Sequence, residues 1–167
     1  MNRVPSWLPD LAQFNGNWEQ YLEVIYAIFE RDFKASNPFF QGRPVVHDSI
    51  MENGKEATFW HLISTFDEGT NDRIPDLRRC ERMGWPRPVI EHHAESAISV
   101  WKNVRKRPDS KEQTRVLIWF EELDYIVVMT EMRQAMILVT AYLTDYPHTR
   151  RKLRKEREQY LQMQKPP

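Results

Sequence analysis

The sequence predicts an α+β fold, and three observations predict it. Residues 18–33 repeat apolar side chains at helical spacing, Asn53-Gly54 lies between two β-rich runs, and residues 114–142 hold three blocks of β-branched and aromatic residues separated by charged breaks. Read in order, the elements are helix, hairpin, short helices, meander and helix, a grouping that suits α+β. The expected architecture is N-terminal helices packed on an antiparallel sheet, built from the hairpin plus a three-stranded meander, followed by a basic C-terminal helix. The 167 residues suit one domain. Within it the divisions are an N-terminal helical portion over about 1–40, a core over about 41–145 and the basic helix over about 149–162.

In "WEQYLEVIYAIFERDF", Trp18, Tyr21, Leu22, Ile25, Ile28 and Phe29 form one apolar stripe, and Asn17 with Gln20 forms a capping box. "PVVHDSIMENGKEATFWHL" reads as a hairpin about Asn53-Gly54, because both residues tolerate the positive φ of a type I′ turn. Extended outward, that register sets His47 opposite Trp60 and Val46 opposite His61, so the two histidines point to opposite sides of a sheet. Phe59, His61 and Ile63 then share a face. Pro75, Asp72 and Asp76 start a helix over 75–83, with Leu77, Cys80 and Met83 facing inward, and Pro88 opens a second short helix. "ISVWKNVRKRPDSK" reads as a basic connection. In the meander, alternation puts Arg115, Leu117, Trp119 and Glu121 on one face of the first strand, and Leu138, Thr140 and Tyr142 on one face of the third. The closing helix has Leu153, Tyr160 and Leu161 as its apolar anchors.

Composition narrows the function. The formal net charge is zero, yet residues 1–76 hold six Lys/Arg against twelve Asp/Glu and residues 77–167 hold eighteen against twelve, a −6 half followed by a +6 half. Such a division is compatible with a polyanion site built from the second half, and equally with a neutral protein whose halves are uneven. Cys80 has no second cysteine to pair with, which suits a reducing, cytoplasmic setting. "AMILVTAYL" is far shorter than a spanning helix, and "MNRVPSWLPD" lacks a signal-peptide core, so no membrane role is expected.

"EHH" at 91–93 offers side chains that diverge on a helix, without the spacing of a zinc set, and no phosphate-cradling glycine loop is present. The expectation is no metal and no cofactor. What remains is histidine, arginine and hydroxyl side chains on or near strands, the residue types of a metal-independent ribonuclease. Such an enzyme needs a base for the 2′-hydroxyl, cations for the phosphorane and an acid for the leaving oxygen. Each residue also has a plainer role open to it. His61 suits a half-buried ring bonded to backbone or water, the arginines suit ion pairs with Asp76 or Glu81, Thr140 and Tyr142 suit ordinary strand positions, and the tryptophans suit the core.

The succession "EATFWHLIS", "RIPDLRRCERMGWPRPVIEH", a tryptophan in a basic stretch, "TRVLIWFEELDYIVVM" and "ILVTAY" resembles the phage-related nucleases of the Barnase, EndoU, colicin and RelE group, the BECR fold. "FWHL", "RRCERMGWPRP" and "TAY" are its most specific pieces, and the resemblance spans about residues 40–155. It implies RNA cleavage in a cleft on one sheet face, and a biology of toxins, prophages and mobile elements. It assigns the acid/base role to His61, phosphate contacts to Arg79 and Arg82, a further cation to Arg115, and donors to phosphate or leaving group to Thr140 and Tyr142. RNA contact along the tail would come from Arg150, Arg151 and Arg154. An antitoxin or other inhibitor protein is the implied partner. The alternatives are a nucleic-acid-binding module without catalysis and an accessory protein that recognises another protein through its aromatic surface.

Overall fold

The structure, a computed structural model, describes residues 3–166 and is α+β. Helix α1 runs Trp18–Phe29 and continues as a π turn over Glu30–Lys34. Asn17 caps it through Oδ1, which accepts from the Gln20 amide at 3.0 Å. Tyr21, Ile25 and Phe29 of the stripe are fully buried, and Trp18, Leu22 and Ile28 pack beside them.

Among the described residues, six strands form one sheet: β1 (Phe39–Phe40), β2 (Arg43–Val46), β7 (Ile98–Lys106), β8 (Glu112–Phe120), β9 (Tyr125–Glu131) and β10 (Met136–Leu143), in the order β1-β2-β10-β9-β8-β7. All neighbours are antiparallel except β2 and β10. The meander is as expected. The basic stretch before it is not a connection but the nine-residue edge strand β7, whose Trp101 enters an apolar face while Lys102 reaches Glu131 at 2.8 Å and Arg105 and Lys106 are exposed.

The continuous apolar runs of β8 and β9 follow from burial on both faces. Val116, Ile118, Phe120, Val127 and Met129 belong to one buried cluster with Ile25, Phe29, Phe59, Val89 and Ile90, whereas Leu117, Trp119, Ile126 and Val128 pack with Trp101 and with Leu153. Leu153 belongs to α5, Pro147–Met163, so the C-terminal helix covers the second face. Tyr160 joins it there, but Leu161 is exposed and anchors nothing.

The largest departure from expectation lies between residues 51 and 67. A type I′-like turn with positive φ at Asn53 and Gly54 is present, but its hairpin holds just β3 (Met51–Glu52) and β4 (Lys55–Glu56). The chain then turns into helix α2, Ala57–Ile63, so His61 is helical and the register with Val46 and Trp60 does not form. Phe59, Leu62 and Ile63 are spaced i, i+3, i+4 and all enter the core, which outweighs the β propensity of the segment. Glu56 fixes the helix start: its buried carboxylate meets Lys34 Nζ at 2.6 Å and accepts from the Tyr26 hydroxyl at 2.9 Å.

A second hairpin follows, β5 (Ser64–Asp67) with β6 (Asp72–Pro75). Pro75 therefore ends a strand, and Asp76 caps α3, Leu77–Glu81, through bonds from the amides of Arg78 and Arg79. Cys80 and Met83 are buried as expected, whereas Leu77, in the first turn, is exposed. Helix α4 is Pro86–Glu91, begun by Pro86 rather than Pro88. Ahead of it, Gly84 has no room for a side chain, since a Cβ there would meet Pro9 Cγ at 2.9 Å. No helix among the described residues is long and apolar enough to cross a membrane.

Candidate active site

The candidate site lies where the sheet loses a partner. Strand β2 pairs with β10 at Met136 and Ile137, and no strand pairs with that edge of β10 beyond them among the described residues. In its ladder with β9, β10 bulges between Leu138 and Thr140. The bulge adds one residue, so Leu138 enters the larger buried cluster with Val127 and Met129 while Tyr142 turns to the α5 side. The expected common face of Leu138, Thr140 and Tyr142 is thus split. Helix α2 packs against the same stretch of β10.

The last carbonyls of a helix lack partners within it and need donors from outside. Here side chains supply them. Ser64 Oγ donates to the Trp60 carbonyl, Thr140 Oγ1 to the His61 carbonyl at 3.0 Å, and Arg79 Nη1 to His61 and Ser64 carbonyls at 3.3 and 2.8 Å. Arg73 donates from Nε to Ser64 Oγ at 2.9 Å and from Nη2 to the Ser64 carbonyl at 2.8 Å. Cations at this helix end also match its dipole. These bonds leave Nη1 of Arg73 and Nη2 of Arg79 for an anion.

His61, Arg73, Arg79, Thr140 and Tyr142, together with Phe66, line one open cleft of about 330 Å³. Other side chains reach His61 at its backbone carbonyl; among the described residues its half-buried ring takes no hydrogen bond. Burial, then the Arg73 charge, lowers its pKa from the ordinary value, so the ring is neutral at physiological pH and free to accept a proton. Burial raises the Tyr142 pKa, against the pull of Arg105 and Arg79, so this hydroxyl keeps its proton. The Arg79 guanidinium lies 5.5 Å from the Tyr142 ring centre. Burial also lowers the pKa of Arg73 and Arg79; an arginine remains charged, and partial desolvation strengthens its hold on an anion.

No family model, curated protein or solved structure matches this chain. The chemistry of the cleft therefore rests on its own geometry.

Four of the expected residues, His61, Arg79, Thr140 and Tyr142, come together. Thr140 holds the His61 backbone in place, its proton already directed at that carbonyl. Arg82 lies outside the cleft, with its guanidinium 5.1 Å from the Trp85 ring centre and Nη1 on the Arg78 carbonyl. Arg115 is also outside, bonded to Gln113 Oε1 at 3.3 Å, though its charge reaches the Tyr142 hydroxyl. Along α5, Arg150 is paired with Asp124 at 3.0 Å and Arg154 with Glu121 at 2.6 Å, while Arg151 is exposed. Arg73 was missed by the sequence reading. Its signal was the polar run "DEGTND" between "STF" and "RIP", a turn that folds Arg73 back beside Ser64. Among the described residues no group of three or more His, Cys, Asp and Glu side chains is arranged to hold a metal ion.

Proposed function

We propose that the protein is a metal-independent endoribonuclease of the toxin-like, phage-related kind that its sequence resembles. The observation that carries this reading is the neutral, unbonded ring of His61 in one cleft with two arginines and a protonated tyrosine. The residues divide the work of a transesterification. The ribose 2′-oxygen attacks phosphorus while its proton passes to a ring nitrogen of His61. The bond from phosphorus to the 5′-oxygen breaks, and that oxygen takes the proton of Tyr142. The products are a 2′,3′-cyclic phosphate and a 5′-hydroxyl, and solvent restores both side chains. Arg73 and Arg79 face the phosphorane, which carries more charge than the phosphate it comes from, so they favour the transition state over the substrate. Thr140 and Ser64 keep the end of α2 rigid beneath them.

Sharing both arginines with helix carbonyls favours one further reading, a nucleic-acid-binding surface that keeps the cations and lacks turnover. Incubation of the protein with RNA in EDTA separates the two. The nuclease reading expects new 2′,3′-cyclic phosphate and 5′-hydroxyl ends; intact RNA at all times, with measurable binding, supports the binding surface. A nuclease active in the cytoplasm needs restraint, which makes an antitoxin or inhibitor protein the expected partner.

A further inference from the structure

The cleft at His61 is the middle of three that adjoin one another. On one side it shares Arg73 with a cleft of about 260 Å³ formed by Trp60 with Glu52 and Asp72. On the other it shares Thr65, Arg79 and Tyr142 with a cleft of about 390 Å³ that also contains Asp76, Asp145 and Tyr146. Carboxylates line the two flanking clefts and not the middle one. The middle cleft contains arginines and no carboxylate, whereas each flanking cleft adds two carboxylates and a further aromatic side chain, Trp60 or Tyr146, to the arginines it contains, Arg73 on the Trp60 side and Arg78 with Arg79 on the Tyr146 side. A phosphate fits the middle, where the arginines have no carboxylate beside them in the lining. A nucleobase fits the sides, where an aromatic ring offers a stacking face and carboxylates accept from amino or imino groups on the base edge.

The Tyr146 side is the better built. Tyr146 is 65% exposed, and His148 stacks behind it with ring centres 5.7 Å apart and planes at 28°. Asp145 is held by Arg78 at 3.0 Å, and that bond keeps its carboxyl below the usual range, so it is a charged acceptor at neutral pH. At the other end the Trp60 indole is fixed by its N–H bond to the Glu52 carbonyl at 2.7 Å.

We infer that the two flanking clefts are nucleobase subsites for the nucleotides on either side of the phosphate held at His61, with Tyr146 and Trp60 as the stacking faces. This rests on the nuclease reading for the identity of the middle site. The recognised substrate is a single-stranded stretch, since both bases must leave a duplex stack to enter, and bases that carry an exocyclic amino donor are preferred over uracil, whose edge offers a single imino donor.

The test is a cycle between Tyr146→Ala and an abasic nucleotide, placed in turn 5′ and 3′ of the cleavage site in a short oligoribonucleotide. Cleavage is followed at single turnover, and binding is measured with the same oligonucleotides carrying a 2′-deoxy sugar at the cleaved position. Tyr146→Ala is expected to weaken binding about tenfold for the intact oligonucleotide and to have no effect when the base on its side is missing. Asp145→Asn should reduce the preference for a donor-edged base at that same position. Equal losses with and without the base, at both positions, would overturn the inference. If the wild type binds with this base dependence but does not cleave, the subsites stand and the nuclease reading falls.

Discussion

Two regions of the molecule gather arginines, and they hold them differently. At the end of α2, Arg73 and Arg79 are fixed by neutral groups, the carbonyls of His61 and Ser64 and the Ser64 hydroxyl, with the nearest carboxylate of Arg79, Asp76, at 3.9 Å. Along α5, Arg150, Arg154 and Arg157 are fixed by Asp124 and Glu121 at 2.6–3.0 Å. Burial pushes the Glu121 carboxyl up, but Arg154 and Arg157 outweigh it and hold it below its ordinary pKa, so this cluster is charged and mutually neutralised. A cation held by a carbonyl keeps its charge for a ligand; one held by a carboxylate has spent it. Arginine count therefore misleads about where a polyanion binds, and the partner decides.

The largest effect that tests this contrast is at Arg79. Arg79→Gln is expected to lower single-turnover cleavage about 10²- to 10³-fold, the scale for losing one charged-state donor, with affinity for a non-cleavable RNA reduced far less. Equal losses in both constants would make Arg79 a ground-state contact. Next comes Arg73→Gln, expected to cost about tenfold in rate. It also removes a positive charge that lowers the His61 pKa, so the acid limb of the pH–rate profile should move to higher pH, while burial of the ring, the larger cause, still holds it below the ordinary value. A limb that stays in place, or moves down, would detach the two residues.

Smaller effects are expected at α5. Glu121→Gln releases Arg154 and Arg157, so RNA binding should become more salt-dependent, by about one unit of slope, with cleavage chemistry unchanged. Arg154→Gln should change cleavage less than about twofold and stability by at most about 1 kcal/mol, the usual range for an exposed pair. A large loss of RNA affinity in Arg154→Gln would show that the helix binds RNA despite its ion pairs.

The sequence was informative where side-chain spacing decides structure. The α1 stripe, the three meander strands, the Asn53-Gly54 turn and the C-terminal helix were legible because each repeats its pattern or carries a turn residue with one conformational reason to be there. Helix α2 was not, because "ATFWHLI" mixes β-branched and aromatic residues, and the helical spacing of Phe59, Leu62 and Ile63 is decided by a core drawn from the whole chain. Strand β7 was hidden by its basic edge, although Val100 and Trp101 alternate into opposite faces. At the site, His61, Arg79, Thr140 and Tyr142 were named from short sequence pieces and do share a cleft. Arg82 illustrates the limit: α3 ends at Glu81, and Arg82, its C-cap with φ −99° and ψ 19°, leaves the helical spacing that would set it beside Arg79 and lies over Trp85 instead. Arg73 was invisible without the β5–β6 pairing that returns it to Ser64.

The central claim is that the His61 ring takes the 2′-hydroxyl proton. The direct measurement is single-turnover cleavage of one oligoribonucleotide in EDTA by wild type and His61→Ala, with melting temperatures recorded for both. The account predicts a loss of about 10²- to 10⁴-fold in the variant, the range for a positioned general base, with folding nearly unchanged because the half-buried ring makes no hydrogen bond among the described residues. A folded His61→Ala protein that cleaves at the wild-type rate would contradict it.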